Sequence, residues 1–145
     1  MPSDQPHLGQ ASLSGARIWL SGALPEEEGT TDAQRASILE FVRQLARAVF
    51  QRGGHIVHGS HPSFTPVLIE EAGSYQDGGG RKDCLVLATS RYWSKDPKNF
   101  PADKFRKVAI VYEMPEASGD RARDDSLVLL RTWMASRSDA VVVVG

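Results

Sequence analysis

Four consecutive residues, Gly59-Ser60-His61-Pro62, combine groups that suit an anion. The glycine lets the backbone approach closely, the serine and histidine bring a hydroxyl and an imidazole, and the proline turns the chain. They follow a short β-forming run, His55 to His58, and precede Thr65-Pro66, which reads as an N-cap and first helical residue. The turn is therefore expected at the carboxyl end of a strand, with the amides near Thr65 opening a helix beside it. In parallel α/β sheets ligands bind at that end, and a helix start suits a phosphate. The plain alternative is a tight turn at Gly59 followed by a cap at Thr65. An imidazole at position 61 also suits acid–base work, but no carboxylate stands near it in sequence.

Other segments compete for a chemical role. Ser21-Gly22 ends an earlier apolar run and would lie on the same rim, Ser21 donating to a phosphate or ribose oxygen. Arg91, Tyr92 and Trp93 follow a third run, where an aromatic ring could stack on a base and Arg91 could pair with phosphate. His55, His58 and His61 do not make a metal site: on a strand the first two point to opposite faces, and no Cys or acidic set complements them. Asp77 to Lys82 is glycine-rich but precedes a strand and lacks the Lys-Ser/Thr pair of a phosphate loop, so it reads as a flexible surface connection. Glu70 and Glu71 are adjacent and do not face one another, which predicts solvated side chains. Arg35, Arg43, Arg47 and Arg52 read as the solvated face of a helix, and Cys84 as inert core.

The elements that must position these groups alternate in type. Strands are expected over Ala16 to Ala23, His55 to His58, Cys84 to Ala88, Val108 to Tyr112 and Ala140 to Val144. Helices are expected from Thr31 or Asp32, from Pro62 to Ser74, and from Ser126 to Ser136. Ile38, Phe41, Val42, Leu45, Val49 and Phe50 follow helical spacing and predict one buried stripe; Gly53-Gly54 closes that helix. Leu127, Leu130 and Met134 are the inward positions of the last helix. Arg91 to Lys107 reads as a long loop. The pattern predicts an α/β fold, Rossmann-like and doubly wound, with a mainly parallel sheet of about five strands. The last strand runs into Gly145, which predicts either an edge position or a natural chain that continues; the second is the preferred expectation.

Composition sets limits on function. The chain has 145 residues, 41% apolar and 24% charged, enough for one domain at 16–145 behind a flexible tail at 1–15. A net charge of −1 offers no global basic field for nucleic acid. One cysteine permits no internal disulfide, and no signal peptide or membrane span is legible, so a cytoplasmic location is expected.

Three segments carry a family likeness: Ile18-Trp19-Leu20-Ser21-Gly22, Gly53-Gly54-His55 through His61-Pro62, and Arg131-Thr132-Trp133-Met134 followed by Ser138 to Gly145. In order and spacing they resemble the SLOG superfamily, the Rossmann-like group that includes the Lonely Guy phosphoribohydrolases and DprA-like proteins. The resemblance implies a nucleotide-derived small molecule, of ADP-ribose or cyclic-nucleotide type, held at the carboxyl ends of strands one, two and five. It adds Arg131 and Gly145 to Ser21, Gly22, Gly59, Ser60, His61, Pro62, Thr65 and Arg91 as ligand-binding residues. It further implies sensing within a bacterial defence system, no cofactor, and either a homodimer or a fused effector domain. Nucleotide N-glycosidase activity is the alternative. The enzymatic relatives carry a Pro-Gly-Gly-x-Gly-Thr segment after strand five, which this sequence does not reach, and their catalytic arginine matches Arg131 only with a shift of one position.

Overall fold

The fold is an α/β sandwich around one parallel sheet, seen in a computed structural model that describes residues 12–145. Strands β1 (Arg17–Gly22), β2 (His55–His58), β3 (Leu85–Ser90), β4 (Ile110–Met114) and β5 (Ala140–Val144) lie in the order β4-β3-β2-β1-β5, every pair parallel. Helices α1 (Asp32–Gln51) and α2 (Thr65–Asp77) make the first two crossovers. Two single turns, α3 (Arg91–Ser94) and α4 (Ala102–Phe105), interrupt the link from β3 to β4; α5 (Ala122–Ser136) carries the chain back past β1 to β5.

Alternation along the strands sorts the two faces. Leu20, Ile56, Leu85 and Leu87 point to the side covered by Val42, Ala46, Val49 and Phe50 of α1 and by Leu68 and Ala72 of α2. Val57 and Ala88 point to the other side, where Leu130 and Met134 of α5 cover them. Helices thus flank both faces, as in a Rossmann-like doubly wound fold. The start of α1 is a full capping box: Thr31 Oγ1 accepts from Gln34 N at 3.1 Å, and Gln34 Oε1 accepts from Thr31 N at 2.8 Å. Gly53, with φ of 87°, supplies the left-handed residue that lets the chain reverse into β2.

Several expectations need correction. Phe41 is 51% exposed, and the smaller Ala46 takes a core place on α1. Helix α2 starts at Thr65 and runs to Asp77; Thr65 is not its cap, because its hydroxyl donates to the His61 carbonyl at 2.8 Å. The connection after α2 is pinned rather than loose. Arg81 donates to the carbonyls of Gly54 (2.7 Å) and Phe50 (3.3 Å) and to Tyr75 Oη (3.2 Å). Glu71 is buried between α1 and α2, held by Arg47 at 2.8 Å and Arg43 at 3.4 Å. Those two arginines therefore clamp the helices, although Arg47 stays solvent-exposed. Strand β4 begins two residues later than the apolar run at Val108, because Val108 and Ala109 close the α4 turn with bonds to the Phe105 carbonyl.

Residues 1–11 of the expected tail lie outside the described residues. Of the remainder, Leu13 and Gly15 donate to the Arg52 and Gly53 carbonyls, so this part is bonded into the fold. Strand β5 is an edge strand, with Val141 51% and Val143 75% exposed. Among the described residues no helix is long and apolar enough to cross a membrane.

Candidate functional site

At the carboxyl edge of the sheet, on the α5 side, lies a cleft of about 740 Å³. Its floor is the end of β1 (Trp19 to Gly22), His58 at the end of β2 and the turn that follows it (Gly59 to Pro62). One wall is α5, through Arg123, Leu127, Leu130, Arg131 and Met134; the opposite wall is the β3–β4 connection, through Trp93, Lys98, Asn99 and Phe100. A shallower depression of about 500 Å³ beside the start of α1, lined by Pro25, Thr30, Ala33, Gln34, Ser37 and Ile38, offers no titratable side chain.

The cleft brings together seven of the ten residues expected from sequence: Ser21 and Gly22 from one turn, Gly59, Ser60, His61 and Pro62 from the other, and Arg131. Thr65 is not among them; it is 2% exposed and bonded inward. Arg91 turns away from the cleft and pairs with Glu113 on β4 at 3.4 Å. Gly145 does not line the cleft either; it packs on Ala23, whose carbonyl a Cβ there would strike.

Two glycines on the floor have packing reasons to be glycine. Gly22 has φ of 128°, and a Cβ there would collide with the Val144 carbonyl of β5. A Cβ on Gly59 would come within 3.0 Å of Met134 Cε. These residues let β1 approach β5 and let the turn approach α5. Ser60 is the only non-glycine residue with positive φ (66°) among the described residues, and its hydroxyl donates to the Ala88 carbonyl of β3 at 2.8 Å. Such a conformation persists only where its surroundings enforce it.

The expected cradle of helix amides is not free. The amides of Phe64 and Thr65 both donate to the His61 carbonyl (3.3 and 3.1 Å), and that of Ser63 donates to His61 Nδ1 at 3.2 Å. Positive charge comes from side chains instead. Lys98, Arg123 and Arg131 line the cleft, and no Asp or Glu does. Arg123 has one exposed ion-pair partner, Asp124, at 3.2 Å. Trp19 and Trp93 add two indoles.

Sequence reasoning missed Lys98, Arg123 and Trp19 as site residues. Trp19 was legible in principle, since it lies two residues before Ser21 and therefore on the same strand face.

His58 also lines the cleft floor and is 1% exposed. Its Nδ1 lies 2.9 Å from the Leu20 carbonyl, and its Nε2 has no hydrogen-bond partner. Burial pushes its pKa down to about 4, against the opposing pull of the Leu20 carbonyl, so the ring is neutral near pH 7. Cys84 is fully buried, and burial pushes its thiol up, away from reactivity. Among the described residues no cluster of three His, Cys, Asp or Glu could hold a metal.

Comparison with known proteins adds one distant likeness. A curated protein of Streptomyces coelicolor, described as 4-hydroxy-tetrahydrodipicolinate synthase 1, is 29% identical over 120 residues. The match covers 77% of this chain but 36% of that protein, so the chain spans about a third of its relative's length. No family model matches the chain, and no solved structure matches it.

Proposed function

We propose that the cleft binds a nucleotide or nucleotide-derived ligand at the carboxyl edge of the sheet. One observation carries the reading: three cationic side chains and two indoles line a single cleft free of carboxylates, in a chain whose net charge is −1. Cations on facing walls suit phosphoryl oxygens, and an indole suits the face of a base. The location supports the same reading, because open parallel sheets bind ligands outside the carboxyl ends of their strands. ADP-ribose and cyclic nucleotides, the ligand types implied by the SLOG resemblance, carry both required groups. The role that accompanies them is that of a sensor in a bacterial defence system.

Thermal denaturation against a panel of nucleotides tests this. A ligand present at about 100 times its dissociation constant should add roughly 2.7 kcal/mol of stability. No stabilisation by any mono-, di-, cyclic or ADP-ribosyl nucleotide would sink the reading. Appearance of free base by chromatography would replace binding by hydrolysis.

A further inference from the structure

We infer that Ser63, which does not line the cleft, fixes the proton of His61 on Nε2, so that His61 presents an N–H donor to a phosphoryl oxygen in the cleft. The inference rests on the proposed function only for the identity of the ligand; the assignment of the proton stands on hydrogen-bond geometry.

A backbone amide can only donate. Ser63 N donates to His61 Nδ1 at 3.2 Å, so Nδ1 must carry a lone pair. The Ser63 hydroxyl lies 2.9 Å from the same nitrogen and accepts from Leu24 N at 3.0 Å. Because Nδ1 carries no proton, the 2.9 Å contact requires the Ser63 hydroxyl to donate to it, while the hydroxyl oxygen accepts from Leu24 N. A neutral imidazole has one ring proton, and both donors at Nδ1 force it to Nε2.

His58, three residues earlier, is held in the opposite form. Its Nδ1 lies 2.9 Å from the Leu20 carbonyl, which can only accept, so there the proton sits on Nδ1. The end of β2 and the turn after it thus carry two imidazoles in opposite tautomers. Of the two, only His61, which is exposed and lines the cleft, can donate outward. A phosphoryl oxygen is an acceptor and needs such a donor. The cations supply long-range attraction, whereas a fixed N–H gives the anion a direction. The same serine ties the loop after β1, through Leu24, to the turn after β2, so the two turns that form the cleft floor are set together.

The test is nitrogen-15 NMR of the imidazoles in the whole chain, at a pH where they are neutral, with inorganic phosphate as the probe. The expected pattern is Nε2–H for His61 and Nδ1–H for His58. Phosphate should shift the His61 Nε2–H signal saturably. His61→Gln, whose amide nitrogen replaces Nε2, should keep phosphate affinity within about threefold; His61→Asn, whose amide replaces Nδ1, should weaken it about tenfold. Ser63→Ala keeps the amide donor but removes the hydroxyl, so part of the His61 population should move to Nδ1–H, and Ser63→Thr should restore it.

An Nδ1–H His61 in the wild type, or equal affinity in the Asn and Gln variants, overturns the inference. An unchanged tautomer ratio in Ser63→Ala overturns the part given to the Ser63 hydroxyl. A saturable phosphate response without binding of any nucleotide sinks the nucleotide reading alone. Nucleotide binding left intact by His61→Asn sinks the His61 assignment alone.

Discussion

The two faces of the sheet are built for different ends. On one face α1 and α2 lie side by side, bury Phe50, Leu68 and Leu87 completely or nearly so, and lock to each other through Glu71. On the other, α5 alone covers Val57 and Ala88, leaving Tyr112 of β4 45% exposed and Val143 of β5 75% exposed. Two long helices, with Leu13, Phe105 and Val108 packed at their margins, cover the first face; the second has one long helix and the β3–β4 connection. On this face, at the carboxyl edge, the space between α5 and the β3–β4 connection is the cleft. Stability is thus concentrated on the face that has no site, and binding groups on the face that has spare room.

The sharpest way to break this contrast is to hollow out the sealed face. Phe50 is 1% exposed and packs on Tyr75 with ring centroids 5.6 Å apart. Phe50→Ala should cost about 4 kcal/mol in urea denaturation, through lost transfer energy and a cavity. The surviving folded fraction should bind nucleotide as the wild type does. A cost below about 1 kcal/mol would show that this face does not carry the stability.

The next effect in size comes from His58, at the boundary between floor and core. Its native pKa of about 4 lies below the ordinary 6.5, so between those values the unfolded chain binds the extra proton. Stability should therefore be complete above about pH 6.5 and fall as pH drops towards 4, by on the order of 3 kcal/mol. Comparison with His58→Gln isolates this contribution from that of the carboxylates. Parallel pH profiles for the two proteins would show that His58 is not the group responsible.

Smaller again is the clamp between the helices of the sealed face. Glu71→Ala removes the acceptor shared by Arg47 and Arg43 and should cost roughly 2 kcal/mol, read by denaturant titration. Glu70, exposed beside it, has only Arg43 at 3.1 Å; Glu70→Ala should cost less than about 1 kcal/mol. Equal costs for the two would mean that burial of Glu71 contributes nothing.

The sealed face was the more legible of the two. Helical spacing located α1, and glycines on both sides of His55–His58 bounded β2 to the residue. Ala46 escaped notice because a small side chain gives a weak periodic signal, and Phe41 misled because α1 also carries a large apolar residue outward. On the open face the turns were legible but the walls were not. Arg91 stood next to the expected rim, yet its partner Glu113 lies on the neighbouring strand β4, which no local pattern reveals. Lys98 and Arg123 belong to segments that become facing walls only when α5 crosses back over the sheet. The amides near Thr65 were legible as donors; that the His61 carbonyl and imidazole consume them depends on the turn's three-dimensional path.

The finest test of the contrast changes binding and leaves stability alone. Arg131 and Lys98 lie on opposite walls of the cleft and contribute no ion pair within the described residues. Arg131→Ala and Lys98→Ala should each leave the melting curve within about 0.5 kcal/mol of wild type, as for surface substitutions without buried partners. Each should weaken ADP-ribose binding about tenfold by calorimetry, and the loss should shrink at high salt, where screening has already weakened the wild type. Arg35→Ala is the matching control: Arg35, outside the cleft lining, pairs with Asp32 at 3.5 Å and donates to the Pro25 carbonyl at 3.3 Å, so its loss should leave binding unchanged and cost less than about 1 kcal/mol of stability. If Arg35→Ala weakens binding as much as Arg131→Ala, the ligand responds to overall charge, and the open face holds no defined seat for its phosphates. If only the two cleft variants lose affinity while all three keep their stability within these bounds, the division of labour between the faces extends to single charges.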